Sequence, residues 1–200
     1  MTTDAGSEPT PAATPGPGVR RVSVWNVANV LTGLRLAAVP LFAWLLLHQN
    51  GDSAPWRLAA FVVFVVASLT DQIDGMLARR YGLITDVGKV ADPIADKALM
   101  GTAMVVLSML GELAWWVTVV VVVREVAVTL LRLAVLRRAV VPASRGGKAK
   151  TAAQAVAIGL YLWPWTSLVH PAAVAAMGVA VVLTVVSGID YGVRIARLFR

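Results

Sequence analysis

Four aspartates, Asp71, Asp74, Asp92 and Asp96, are spaced as helical pairs, the first two at i,i+3 and the second two at i,i+4. At about 100° per residue, Asp71, Asp74, Gly75 and Ala78 share one face at the end of one helix. Gly88, Asp92 and Asp96 form a stripe at the start of the next. Two neighbouring helices would then aim four carboxylates into one space. Such carboxylates repel one another and resist desolvation, and ionisable residues at a membrane boundary are costly and usually functional. Hard oxygen ligands favour Mg2+, Ca2+ or Mn2+, and two divalent ions neutralise four charges. A metal pair of this kind can clamp a pyrophosphate and stabilise charge on both the entering and the leaving oxygen. Each aspartate also has a plainer reading. Asp92 before Pro93 has the form of an N-cap with proline at the first helical position, and Asp71 and Asp74 could pair with Arg79 and Arg80.

The elements that would position these carboxylates belong in lipid. The chain has 200 residues, of which 58% are hydrophobic and only 14% charged, and its mean hydropathy is +0.74. Soluble domains are about half apolar and about a quarter charged, so a water-facing surface could not be covered here. This excludes a soluble enzyme and a disordered protein. Eighteen Lys and Arg against eleven Asp and Glu give a net charge of +7. In a membrane protein such an excess reflects cytoplasmic loops. No basic region stands apart from the apolar blocks, so no nucleic-acid partner is expected. With no cysteine, disulfides, thiolate metal sites and cysteine nucleophiles are excluded.

Residues 1–19 are rich in Pro, Thr, Ala and Gly without periodicity and read as a disordered tail. Residues 20–200 form one membrane domain. Arg20 to Val27 pairs basic residues with Trp25, as in a short interfacial segment or a juxtamembrane anchor. Six helical segments follow, at 28–48, 56–80, 92–111, 114–137, 149–165 and 171–194. Turn chemistry separates them at Gln49–Asp52, Tyr81-Gly82, Gly111-Glu112, Arg145–Gly147 and Pro164–Pro171. With six spans, one side receives Arg20, Arg21, Arg79, Arg80, Lys89, Arg137, Arg138, Arg145, Lys148, Lys150, Arg197 and Arg200, while the other receives Arg57 alone. The positive-inside rule then places both termini in the cytoplasm. The expected fold class is all-α, a six-helix integral membrane bundle in the cell membrane with its site on the cytoplasmic side.

Other polar residues stand near the predicted site. Asn29 and Thr32 lie at i,i+3 before the first span, where both could face a ligand or cap a helix. Arg124-Glu125 interrupts the apolar run VTVVVVVREVAVTLL, and unpaired charge there points to an inward-facing role. A pairing between Arg124 and Glu125 themselves is disfavoured, because adjacent helical residues point about 100° apart. Gly146-Gly147-Lys148 opens the fifth helix, whose N-terminus favours anions. With Lys150, Arg194 and Arg197 it could hold a phosphate, or these cations could simply enforce topology.

The run Asp71-Gln72-Ile73-Asp74-Gly75-Met76-Leu77-Ala78-Arg79, with Gly88, Asp92 and Asp96 at their spacings, resembles the CDP-alcohol phosphotransferase signature at all eight fixed positions over 26 residues. The resemblance runs from about Trp25 to the C-terminus and implies six-helix membrane enzymes, commonly homodimers, with a dinuclear metal site facing the cytoplasm. It implies that Asp71, Asp74, Asp92 and Asp96 bind two divalent ions, Mg2+ or Mn2+, with Asp96 also the general base. It implies that Asn29, Thr32, Gly75, Ala78, Arg79, Thr85 and Gly88 bind the CDP-lipid. The placement of the cations themselves, not the resemblance, makes Arg124, Lys148, Lys150 and Arg194 the expected binders of an acceptor phosphate.

Further strings are similar to the branch of that family that makes phosphatidylglycerophosphate. They are Asn29–Arg35 with Pro40-Leu41-Phe42, Asp92–Lys97, Arg124-Glu125 and Gly147–Thr151. That branch joins CDP-diacylglycerol to sn-glycerol 3-phosphate and releases CMP. Ala28 stands where many relatives have proline, which bears on the angle of the first helix more than on chemistry. Branches making cardiolipin or phosphatidylinositol phosphate are the alternatives, and a divalent cation transporter is a reading from another class. A transporter would place its carboxylates near the bilayer midplane.

Overall fold

The computed structural model describes residues 27–81, 86–135 and 145–198, with side chains described at 30–70, 94–95, 97–131, 149–165 and 167–193. The N-terminal tail and the Arg20–Asn26 segment lie outside the described residues. Every regular element among those described is helical. The six segments read from the sequence appear as α1 (Val27–Leu47), α2 (Ala54–Tyr81), α3 (Asp86–Met109), α4 (Trp115–Val135), α5 (Arg145–Leu162) and α6 (Thr166–Leu198).

Two boundaries differ from the sequence reading. Helix α3 begins at Asp86, not near Asp92, so Asp92 and Pro93 fall inside the helix and the N-cap reading of Asp92 fails. Helix α6 begins at Thr166, with Pro171 inside it. Proline's fixed φ is helical, and so near a helix start its missing N–H removes only one backbone bond.

The tight connections use left-handed backbone, at Gly and Asn and also at Gln49, where it is uncommon. A 3-10 turn at His48–Gly51 follows α1, with φ of 54° at Gln49, 55° at Asn50 and 77° at Gly51. A Cβ on Gly51 would also lie 2.9 Å from Leu110 Cδ1. Helix α3 ends at Gly111, φ 76°. Glu112 N–H there donates to Leu107 O at 3.0 Å and Gly111 N–H to Ser108 O at 3.1 Å. This pair of bonds is a Schellman motif, which satisfies the last carbonyls of the helix.

Arg57, buried near the start of α2, ties three connections together. Its guanidinium donates to Gly51 O after α1, to both carboxylate oxygens of Glu112 between α3 and α4, and to Tyr161 O at the end of α5. The α1–α2, α3–α4 and α5–α6 turns therefore meet at one end of the bundle. Six of the seven tryptophans, Trp44, Trp56, Trp115, Trp116, Trp163 and Trp165, sit on these turns or the flanking helix ends. Trp44, His48 and Trp56 form one ring cluster with centroids 4.4–5.4 Å apart, and Phe61, Trp163 and Trp165 form another.

Helix α5 lies along α6, and α1 packs on both α2 and α3, while α4 touches α3 and α6. The core holds Phe42 and Leu46 of α1, Phe64 of α2, Leu99, Met104 and Leu107 of α3, and Ile158 and Leu162 of α5, all essentially buried. The exterior is apolar as well. Leu34, Leu41, Val62, Val123, Leu168, Val182 and Ile189 are exposed, Leu168 by 82%. Two segments, Val30–Gly51 and Ser167–Val193, are long and apolar enough to cross a membrane. Soluble monomers rarely expose apolar surface on this scale, which points to lipid as the surroundings.

Candidate functional site

The end opposite the Arg57 junction gathers the end of α2 and the starts of α3 and α5. Asp71, Asp74, Gly75, Ala78 and Arg79 belong to the last part of α2, and Gly88, Asp92 and Asp96 to the first part of α3. Asn29 lies in the first turn of α1, Lys148 in the first turn of α5 and Arg194 in the last turns of α6. The side chains of all these residues lie outside the described set, and Thr85 lies outside it altogether. Thr32, well inside α1, is buried, so it does not cap the helix.

One turn deeper than Asp92, a charged cluster is built from four helices. Its centre is the Glu125 carboxylate on α4. Glu125 Oε2 accepts from Lys97 Nζ of α3 at 2.7 Å. Glu125 Oε1 accepts from Arg124 Nη1 at 3.0 Å and from Lys150 Nζ of α5. Arg124 Nη2 donates to Ser187 Oγ of α6 at 2.8 Å, and Ser187 donates onward to Thr184 O at 3.1 Å. Lys97 directly follows Asp96 in the chain, which brings this cluster against the carboxylate segment of α3.

The cluster is enclosed to different degrees. Lys150 is 6% exposed, Arg124 15%, Glu125 19% and Lys97 35%. Below it, Gln154 donates to Thr184 Oγ1 at 3.3 Å, and that hydroxyl donates to Ala180 O at 2.6 Å. Arg124 crosses the α6 backbone at Gly188, where a Cβ would stand 3.1 Å from Nε and 3.3 Å from Cγ. Arg124 Nε is buried without a hydrogen-bond acceptor. A buried donor left unsatisfied costs about 1–3 kcal/mol.

The expectation that Arg124 and Glu125 would not pair is corrected here. The long guanidinium swings back along α4 and is anchored at its other nitrogen by Ser187. Lys97 and Ser187 were not assigned to the site from sequence. Lys97 shares the Asp92–Lys97 string, but nothing in its spacing reveals a partner 28 residues away on another helix.

The arrangement joins a helix-borne carboxylate set to an adjacent group of three cations that share one counter-ion. The class, a membrane transferase, comes from the match to known proteins. Residues 25–186 match the CDP-alcohol phosphatidyltransferase family model, and the chain belongs to that family. It is 51% identical over 177 residues to the probable phosphatidylglycerophosphate synthase of Mycobacterium tuberculosis strain H37Rv, covering 88% of this chain and 85% of the relative. It is 38% identical to the CDP-diacylglycerol–glycerol-3-phosphate 3-phosphatidyltransferases of Bacillus subtilis strain 168 and Escherichia coli strain K12. Each match covers 84% of this chain, with 94% and 93% of the respective relatives.

Proposed function

We propose that this protein transfers a phosphatidyl group from CDP-diacylglycerol to sn-glycerol 3-phosphate, producing phosphatidylglycerophosphate and CMP in phospholipid synthesis. The observation that carries the reading is the Lys97–Arg124–Lys150 group on Glu125, next to the helix segment bearing Asp92 and Asp96. A phosphorylated alcohol seated there would have its phosphate on the cations and its hydroxyl toward the aspartates.

Four carboxylates on α2 and α3 are hard oxygen donors and suit two divalent ions, Mg2+ or Mn2+. Asp71, Asp74, Asp92 and Asp96 would hold them. When bound, the ions supply polarisation of the pyrophosphate and charge stabilisation at the departing CMP phosphate. Asp96 takes the proton of the acceptor hydroxyl as that oxygen bonds to the lipid-linked phosphorus and the bond to CMP breaks. Gly75, Ala78 and Gly88 leave space for the nucleotide to approach the helices. Asn29, Thr32, Arg79 and Thr85 contact it, and Lys148 and Arg194 add to the acceptor's electrostatic field.

All six helices span the membrane, with both termini and the carboxylates on the cytoplasmic side. The support is the one-sided distribution of Lys and Arg, with the tryptophans at the other end as an interfacial belt. The resemblance adds a homodimer. A cardiolipin synthase would need an apolar acceptor pocket beside the carboxylates, and three cations occupy that place.

The deciding experiment measures CMP release by the purified protein from CDP-diacylglycerol with a panel of acceptors. Turnover with glycerol 3-phosphate, and not with phosphatidylglycerol or inositol phosphate, is the expected result. Equal turnover with inositol phosphate, or none with glycerol 3-phosphate, would overturn the substrate assignment.

A further inference from the structure

Glu125 gathers three cationic heads from three helices without using up their donors. Each lysine ammonium has three N–H groups and the arginine guanidinium five. Glu125 takes one from Lys97, one from Lys150 and one from Arg124. Three positive charges less one negative leave the group at +2. Lys150 is nearly closed off from solvent. Without the carboxylate, it would face Arg124 and Lys97 as like charges in a poorly hydrated space, which disfavours the charged forms. The carboxylate thus keeps the cations together, and it also fixes how much charge remains for a ligand.

That remainder matches one class of alcohol. A phosphate monoester carries about −1.5 to −2 at pH 7 with three acceptor oxygens, whereas a phosphodiester carries a single charge. We propose that Glu125 is a positioning and specificity residue. It holds Lys97, Arg124 and Lys150 around one spot at a net +2, and so selects a phosphomonoester acceptor over a phosphodiester one. The inference rests on the acceptor reading given under the proposed function and adds a residue and a selection rule to it.

The test uses the full-length protein with CDP-diacylglycerol in mixed micelles. Inorganic phosphate and dimethyl phosphate serve as competing monoester-like and diester probes. Glu125→Gln is expected to raise KM for the acceptor about tenfold, of the order of one charge-assisted arrangement, with KM for CDP-diacylglycerol within about twofold. The preference for inorganic phosphate over dimethyl phosphate as inhibitor falls in parallel, because the three cations, no longer held by a shared carboxylate, repel one another out of the site although the formal count rises to +3. Glu125→Asp recovers part of both losses. Should Glu125→Gln fail to fold, the more exposed Lys97 decides. Lys97→Gln takes the group to +1 and is expected to lower the inhibitor preference several-fold. The proposal is overturned if the inhibitor preference is unchanged in these variants, or if KM for both substrates rises together. The inhibitor ratio can be read with whichever acceptor the wild type uses. Failure with glycerol 3-phosphate therefore sinks the acceptor assignment alone, and an unchanged ratio sinks the role of Glu125 alone.

Discussion

Arg124 and Glu125, adjacent on α4, form an ion pair of 3.0 Å between Nη1 and Oε1. Adjacent helical positions diverge by about 100°, so the contact exists only because the guanidinium is long and is pinned at its far side. Ser187 accepts from Nη2 at 2.8 Å, so one planar fork spans a carboxylate on α4 and a hydroxyl on α6. Lysine carries the same charge but has no such fork. Arg124→Lys is expected to keep the protein folded and its affinity for CDP-diacylglycerol intact while raising KM for glycerol 3-phosphate about tenfold or more. Steady-state CMP release with each substrate varied in turn checks this.

Gly188 is the seat of that guanidinium. A methyl group at this position would stand 3.1 Å from Arg124 Nε and 3.3 Å from Cγ, and the side chain cannot easily yield because both of its Nη atoms are engaged. Gly188→Ala is expected to lower kcat/KM for the acceptor about three- to tenfold, equivalent to roughly 1 kcal/mol. Helical propensity by itself would make the same change mildly stabilising. A thermal midpoint in detergent that holds steady or rises, together with a weaker acceptor KM, is the expected combination.

Helix number, order and approximate extent were legible from apolar blocks broken by Gly, Asn and Pro. The boundaries that moved are those where proline was taken as a break. Pro171 sits within α6, and the start of α3 at Asp86 places Pro93 within α3, because one lost backbone bond does not outweigh tertiary packing of the surrounding turns. The carboxylate spacing was legible because it obeys the helical period within short stretches. Arg124, Glu125 and Lys150 stood out singly, but their grouping with Lys97 and Ser187 did not, since the members come from positions 97, 124, 125, 150 and 187. Only the packing of α3, α4, α5 and α6 brings them together.

Arg57 offers a separate test at the other end of the molecule. Its side chain is 5% exposed and Glu112 is 23% exposed, and the guanidinium also serves the carbonyls of Gly51 and Tyr161. Removing Arg57 strands a part-buried Glu112 and leaves the Gly51 and Tyr161 carbonyls without their donor, and the cost approaches the roughly 3 kcal/mol of a broken buried pair. Arg57→Met is expected to lower the thermal midpoint markedly while protein that stays folded keeps its KM for both substrates. The double variant Arg57→Met/Glu112→Leu, which leaves no buried charge behind, should be less destabilised than Arg57→Met alone. Heating series followed by residual CMP release, with KM measured at low temperature, separate stability from catalysis.

The carboxylates on α2 and α3 should divide into two kinds when replaced singly. Chelation is expected to stop CMP release, with Mg2+ or Mn2+ restoring it, because the proposed cluster of four carboxylates needs divalent counter-charge. In the proposed roles Asp74→Asn removes a ligand that serves nucleotide and metal together, so it should weaken binding of CDP-diacylglycerol and raise the metal concentration needed for half-maximal rate. In the proposed mechanism Asp96→Asn removes the base, and loss of general base catalysis costs about 10^2- to 10^4-fold in rate. Its binding of CDP-diacylglycerol should be nearly unchanged, since neither the nucleotide contacts nor the three other carboxylates are touched. Titrating both variants with a CDP-lipid at fixed metal, beside turnover measured at saturating acceptor, separates the two roles. Near-normal turnover in Asp96→Asn would move the base to another residue, and the side chain next in line would be sought among the remaining aspartates of α3.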